Sequence, residues 1–188
     1  MLHLLADYKQ YLSALDDSEL LDFCYNLTLG RSHYHYRLAF VAGSRTAMIS
    51  RLEQVLETEA NACEGGYVGH YAIVSESKTN RYPHEITINE QLNLTRESDD
   101  IIQAVTGFDW DKLTELYVRG AEVKWANIYS GPYNKMHLPV YVFEKISAGI
   151  PSLTSRSSRT SWTAIFMPRN GYRWSRTSTW SSKRMRIL

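Results

Sequence analysis

One stretch, Phe23 to Ala42 (FCYNLTLGRSHYHYRLAFVA), constrains this chain more than any other. Leu20, Leu21, Cys24, Tyr25 and Leu27 recur at helical spacing and give one apolar face. Gly30 follows the last apolar turn, where a helix end favours a residue that accepts positive φ. Arg31 to His35 form a short polar link, and Tyr36 to Val41 read as a strand of bulky residues. Helix, glycine stop and strand lie within twenty residues of each other. Their two apolar surfaces must therefore meet in one core.

The flanking sequence supplies partners for that core. Leu4, Leu5, Tyr8, Leu12 and Leu15 mark a first helix, and Asp16 with Glu19 has the spacing of a capping box. Ser18 could be read as the modified serine of a carrier protein, but Glu19 stands where carriers need Leu, so the cap is preferred. Ser44 caps a third helix with Met48, Leu52, Val55 and Leu56 on one face. Residues 67–74 alternate as a second strand, with Tyr67, Tyr71 and Ile73 on one side. Strand, helix and strand in that order allow a parallel crossover. Thr87 and Glu90 form another capping box and start a short helix, with a further helix from Ser98 or Asp99. Asp109 caps a helix with Trp110, Leu113, Leu116 and Tyr117, which Gly120 stops. Pro139 forces the run 138–143 to be extended. The expected core includes Cys24, Leu27, Leu38, Phe40, Leu52, Val55 and Ile73.

The charge is unevenly spread. All 20 acidic residues precede residue 145, together with 12 of the 21 basic ones, a net of −8. Residues 145–188 carry the other nine basic residues and no acid. Such a tail is either a basic binding arm or sequence of different origin. Two cysteines are too few for a disulfide framework, and no apolar run has membrane length. The start carries no signal segment, and the expected setting is cytoplasmic.

A search for chemistry finds no nucleophile, cofactor motif or metal set that stands above its structural alternative. Gly69-His70-Tyr71 has Tyr where a serine elbow needs Ser. Cys24 lies on a helical apolar face, and Cys63 has no base beside it in sequence. His33 and His35, with His70, are the best metal candidates, but a polar link is the simpler account. Trp110, Tyr117 and Trp125 could stack on bases, but their spacing fits core packing better. No glycine-rich phosphate loop or dinucleotide fingerprint occurs. Catalytic, cofactor and metal residues are thus expected to be absent.

Two motifs carry a resemblance. Tyr25-Asn26-Leu27-Thr28-Leu29-Gly30-Arg31, then His33 and Tyr36-Arg37-Leu38-Ala39, resembles the block that follows the ketosynthase in modular polyketide synthases. Asn26 stands where the family usually has Thr, a polar exchange of little expected consequence. Leu116 to Trp125 is similar to the family's Leu-Trp-Val-x-Gly-Val-Glu-Val-Asp-Trp block, with Lys124 in place of Asp. Leu138 to Phe143 resembles the Leu-Pro-Thr-Tyr-Pro-Phe that follows it. The resemblance implies a ketosynthase–acyltransferase linker and post-linker without an integrated acyltransferase. Residues 65–90 resemble the short bridge of systems whose acyltransferase is a separate protein.

The resulting expectation is an α+β fold, a small sheet packed by several helices, then an extended wrap and a disordered tail. Residues 1–78 would form the linker subdomain, 79–144 the bridge, helical post-linker and wrap, and 145–188 the tail. The implied role is a non-catalytic spacer and docking fragment. Its partners would be a ketosynthase domain and a carrier protein or separate acyltransferase. Arg31, Arg37, Leu138, Pro139, Tyr141 and Phe143 are the implied interface residues. Of these, Leu138, Tyr141 and Phe143 would be exposed in the isolated chain. The rival class is a nucleic-acid-binding module driven by the basic tail. The tail also reads as a frameshift: one codon choice for residues 145–150, shifted by one nucleotide, encodes the family-like Asn-Gln-Arg-Trp-Tyr.

Overall fold

The computed structural model describes residues 2–58, 66–104, 107–129 and 131–140, and the backbone of 162–168. Its elements are α1 (Leu2–Ala14), α2 (Leu20–Leu29), β1 (Tyr36–Ala42), α3 (Arg45–Glu57), β2 (Gly66–His70), β3 (Ala72–Ile73), β4 (Glu85–Ile86), α4 (Ile88–Gln103), α5 (Trp110–Arg119) and β5 (Trp162–Pro168). The α+β class read from the sequence holds. Strand β1 is central in a three-stranded sheet of order β2-β1-β5, and β3 pairs with β4 in a second small sheet.

Both faces of β1 are covered, so Arg37 to Ala42 are all buried. Successive side chains of a strand point to opposite faces. Leu38, Phe40 and Ala42 therefore join one core, with α1 (Leu5, Leu12), α2 (Phe23, Leu27) and α3 (Met48, Leu52, Val55). Ala39 and Val41 join the other, with Leu113, Tyr117 and Val118 of α5 and with Ile102 and Trp125. Each fully buried Leu or Phe contributes about 1.5–3 kcal/mol by leaving water. The buried Trp125 and Tyr117 are core residues, so they offer no platform for stacked bases.

The caps explain most element starts. Ser44 Oγ accepts from Ala47 N–H, and Asp109 accepts from Lys112 N–H. Thr87 and Glu90 satisfy each other's backbone N–H groups at the start of α4. Glu19 accepts from Asp16 N–H before α2. Gly120 ends α5 with φ of +121°, a conformation that L side chains rarely adopt.

Several expectations are corrected. Strand β2 pairs antiparallel to β1, Tyr36 opposite His70, not parallel. Helix α3 has 13 residues and spans about 20 Å. Strand β2 starts opposite Phe40, near the end where β1 finishes. Ser98 does not start a helix: α4 runs through it, and its hydroxyl donates to Thr95 O. Ile73 is 43% exposed, because Tyr71 interrupts the strand and resets the alternation. Gly30 has φ of −91°, so positive φ is not its purpose. A Cβ there would lie 2.5 Å from Asn26 O, and close approach of backbone is what requires glycine.

The tail was expected to lack a strand, yet β5 pairs parallel with β1 from Tyr36–Trp162 to Ala42–Pro168. A strand buried on both faces needs partners for its main-chain groups on both edges. Residues 162–167 include Trp, Thr, Ile and Phe, which suit such a ladder. Other residues of 145–188 lie outside those described.

Candidate functional site

The polar groups with the most buried partners converge around α2, β1 and α5. Arg37 is 3% exposed on the α5 face of β1. Its Nη1 donates to Tyr117 O (2.5 Å) and Ala121 O (2.9 Å), and Nε donates to Tyr34 O (2.9 Å). Its Nη2 donates to Tyr71 Oη at 3.1 Å. The guanidinium carbon lies 4.3 Å from the Tyr117 ring centroid and 4.8 Å from that of Tyr71. Among the described residues no carboxylate pairs with it. The cation instead caps the carbonyls at the end of α5, where the helix dipole is negative.

His33 sits beside this group. Its Nε2 faces Thr28 O at 2.7 Å and its Nδ1 faces Tyr117 Oη at 3.0 Å. A carbonyl only accepts, so Nε2 carries the proton and Nδ1 accepts from the phenol. Burial lowers its pKa from the ordinary histidine value, the Thr28 carbonyl opposes that, and the Arg37 cation adds to it. With both nitrogens engaged, His33 has no lone pair for a metal. His35 lies against the Tyr71 ring, and His70 stacks between Tyr36 and His84. The three histidines are not brought to one point. Among the described residues no group of three His, Cys, Asp or Glu could hold a metal ion.

The other half of the site is a latch along α2. Asn134 donates through N–H and Nδ2 to the two Asp22 carboxylate oxygens, at 3.1 and 2.9 Å. Asn26 Nδ2 donates to Asn134 O and to Asp22 O, both at 2.7 Å, and its Oδ1 accepts from Met136 N–H. Tyr25 stacks on Tyr133, centroids 4.5 Å apart. Arg31 Nη2 donates to Leu138 O (2.8 Å) and Pro139 O (3.0 Å). Contacts at 22, 26 and 31 thus meet 134, 136 and 138–139 in the same order. The extended segment runs along the helix in its own direction.

Of the six expected interface residues, Arg31 and Arg37 engage main-chain carbonyls of this chain, and Pro139 is held by Arg31. Leu138 is buried in the first core, so its expected exposure is corrected: the latch gives it an internal partner. Val140 is 63% exposed instead. Tyr141 and Phe143 lie outside the described residues. Sequence reading missed Asp22, Asn26 and Asn134 as a group. Asn26 was treated as a minor exchange, yet one Thr hydroxyl could not make its three bonds. The signal was its position on the polar flank of α2, but two of its three partners are more than a hundred residues away.

Cys24 is fully buried, and burial pushes its thiol up to about 12. A thiol so poorly ionised is a packing group at neutral pH. Lys124, placed where the resembled motif has Asp, pairs with Asp99 of α4. This pair is surface-exposed and contributes little. Among the described residues no helix is long and apolar enough to cross a membrane.

Comparison with known proteins agrees with the motifs. Residues 1–52 match the family described as CurL-like, PKS C-terminal. The chain is 25% identical over 146 residues to polyketide synthase PksL of Bacillus subtilis, covering 77% of this chain and 3% of that protein. It is 28% identical over 149 residues to polyketide synthase PksN of the same organism, covering 75% of this chain and 2% of that protein. The chain therefore spans a few per cent of the length of these curated relatives. No solved structure matches it significantly. The resemblance to the region that follows the ketosynthase in modular polyketide synthases, read first from Tyr25 to Ala39, is shown by these matches.

Proposed function

We propose that this chain is a non-catalytic linker and docking fragment of a modular polyketide synthase. It spaces a ketosynthase domain and offers a surface to a neighbouring carrier protein or separate acyltransferase. One observation carries the reading: the site's strongest polar groups, Arg31, Arg37, His33 and Asn26, bind the chain's own backbone. Groups used in this way fix geometry and leave no base beside a nucleophile. The latch along α2 supports it further, because it ties residues 134–139 to α2 and Arg31. Tyr117 and Trp125 are buried, so the described residues lend the nucleic-acid alternative no stacking platform. The subdivision into 1–78, 79–144 and 145–188, and the frameshifted origin of 146–188, form part of this proposal. Sequencing the coding DNA checks the latter: the alternate frame should continue into synthase-like sequence. Titrating the chain with its cognate ketosynthase domain, by analytical ultracentrifugation, checks the docking role. A complex at tens of micromolar is expected, and its absence would overturn the docking role.

A further inference from the structure

One cluster of titratable rings lies away from the latch. Tyr82, His84, His70 and Tyr36 form a continuous ladder, with centroid separations of 5.7, 4.2 and 4.8 Å. The outer ring, Tyr82, is 67% exposed, and the two imidazoles are half-buried. The ladder joins parts of the molecule that are otherwise separate. Tyr36 and His70 belong to β1 and β2, paired across the main sheet. His84 and Tyr82 belong to the excursion between β3 and β4. Ala72 N–H donates to His84 O and Val74 N–H donates to Ile86 O, so the same rungs lock the small sheet.

We infer that the His70–His84 stack is a proton-sensitive clasp that holds the 75–86 excursion against the main sheet and releases it on double protonation. Neutral imidazoles pack at this 37° tilt at little cost, and one imidazolium beside a neutral ring is still held by cation–π attraction. Two imidazolium rings 4.2 Å apart repel. A proton on one ring therefore opposes a proton on the other. Burial lowers the His70 pKa first, and the neighbouring His84 lowers it further.

Of the nearby carboxylates, Glu85 attracts a cation on His84 but is shared with Lys78, and Glu76 and Glu90 are bonded elsewhere. From β1 the facing group is Tyr36, while His35 lies on the Tyr71 ring instead. From the excursion, the Glu85 carboxylate takes Lys78 Nζ at 2.6 Å on each oxygen and also accepts from Tyr82 N–H. Glu76 accepts from Asn89 N–H, and Glu90 is bonded to Arg81. Lys78 lies over the Tyr82 ring, adding a cation at the outer end. The carboxylates do not mimic the effect either. Lys78 holds Glu85 below the usual range, and Arg81 holds Glu90 at about 2. Both stay ionised across the histidine range.

This inference rests on the ring geometry and does not need the scaffold reading. The test is amide hydrogen exchange by NMR on the full chain between pH 7 and pH 5, with histidine ring resonances recorded alongside. Protection at Ala72 and Val74 is expected to fall by up to about tenfold per pH unit between the ordinary histidine range and the closed pair's second protonation, and to level off below it, after correction for intrinsic exchange. Protection at Leu38 and Phe40 should fall far less, which separates clasp opening from global loss. His84→Phe keeps a ring in the stack without its proton. It should weaken the local pH dependence and raise the His70 titration, leaving the part that burial of His70 causes. His70→Phe serves if that variant does not fold. Constant Ala72 and Val74 protection in the wild type, or an unchanged loss in the variant, overturns the clasp.

Discussion

The two faces of β1 are built in different ways. Leu38, Phe40 and Ala42 meet α1, α2 and α3 in an apolar core. Across the strand, Ala39 and Val41 are small, and Arg37 reaches past them to the end of α5. The first face is held by area removed from water, which is non-directional and tolerant. The second adds a cation placed on named carbonyls, which is directional and tolerates little. The difference separates two tasks: one face makes the domain fold, and the other fixes how the later helix α5 sits on it.

Removing Arg37 should break this contrast most. Arg37→Ala removes the charged donor from Tyr117 O and from Ala121 O just past α5, and opens a space between two tyrosine rings. Charged hydrogen bonds are worth about 1.5–3 kcal/mol each, so a loss near 4 kcal/mol is expected in urea unfolding. Arg37→Lys should recover less than half, because one ammonium cannot replace the fork. Full recovery by Lys would show that charge alone matters on this face. Leu38→Ala should cost about 3 kcal/mol, within the range for a buried leucine. A loss under about 0.5 kcal/mol would place the strand elsewhere.

Asn26→Thr tests the latch rather than either core. It should cost about 1–2 kcal/mol and raise exchange at the Met136 amide, which loses its acceptor. Unchanged exchange there would mean that Asp22 and Arg31 alone hold the segment. The smallest effect is from His33. Its native pKa is lowered, so the unfolded chain takes up a proton first as pH falls from 6.5. Its contribution is complete above the unfolded value and is lost as pH falls through the native one. Comparing unfolding free energies of the wild type and His33→Gln at pH 7 and pH 5 checks the sign. The wild type should lose more on acidification than the variant.

The apolar face was legible because periodicity is local. The stripes of α1, α2 and α3 and the alternation of β1 could be counted directly, and Ser44, Thr87 and Asp109 announced helix starts. Where the local rule changed meaning, reading went astray. Gly30 looked like a positive-φ stop and proved to be a close backbone approach. Ile73 fitted an alternation that Tyr71 interrupts, and Ser98 looked like a cap inside a continuous helix.

The sequence by itself determined the α+β class, the family resemblance, most helix starts and most of the first core. These follow from spacing within a few residues, where the backbone repeat fixes which side chains share a face. Only the tertiary structure decided that β2 runs antiparallel, that β5 closes the second edge of β1, and that Leu138 turns inward. It alone gave Arg37 its carbonyls and Asn26 its partners, 80 and more residues away. A polar side chain carries no mark of its partner. Its bonds are set by which surfaces the apolar faces have already brought together.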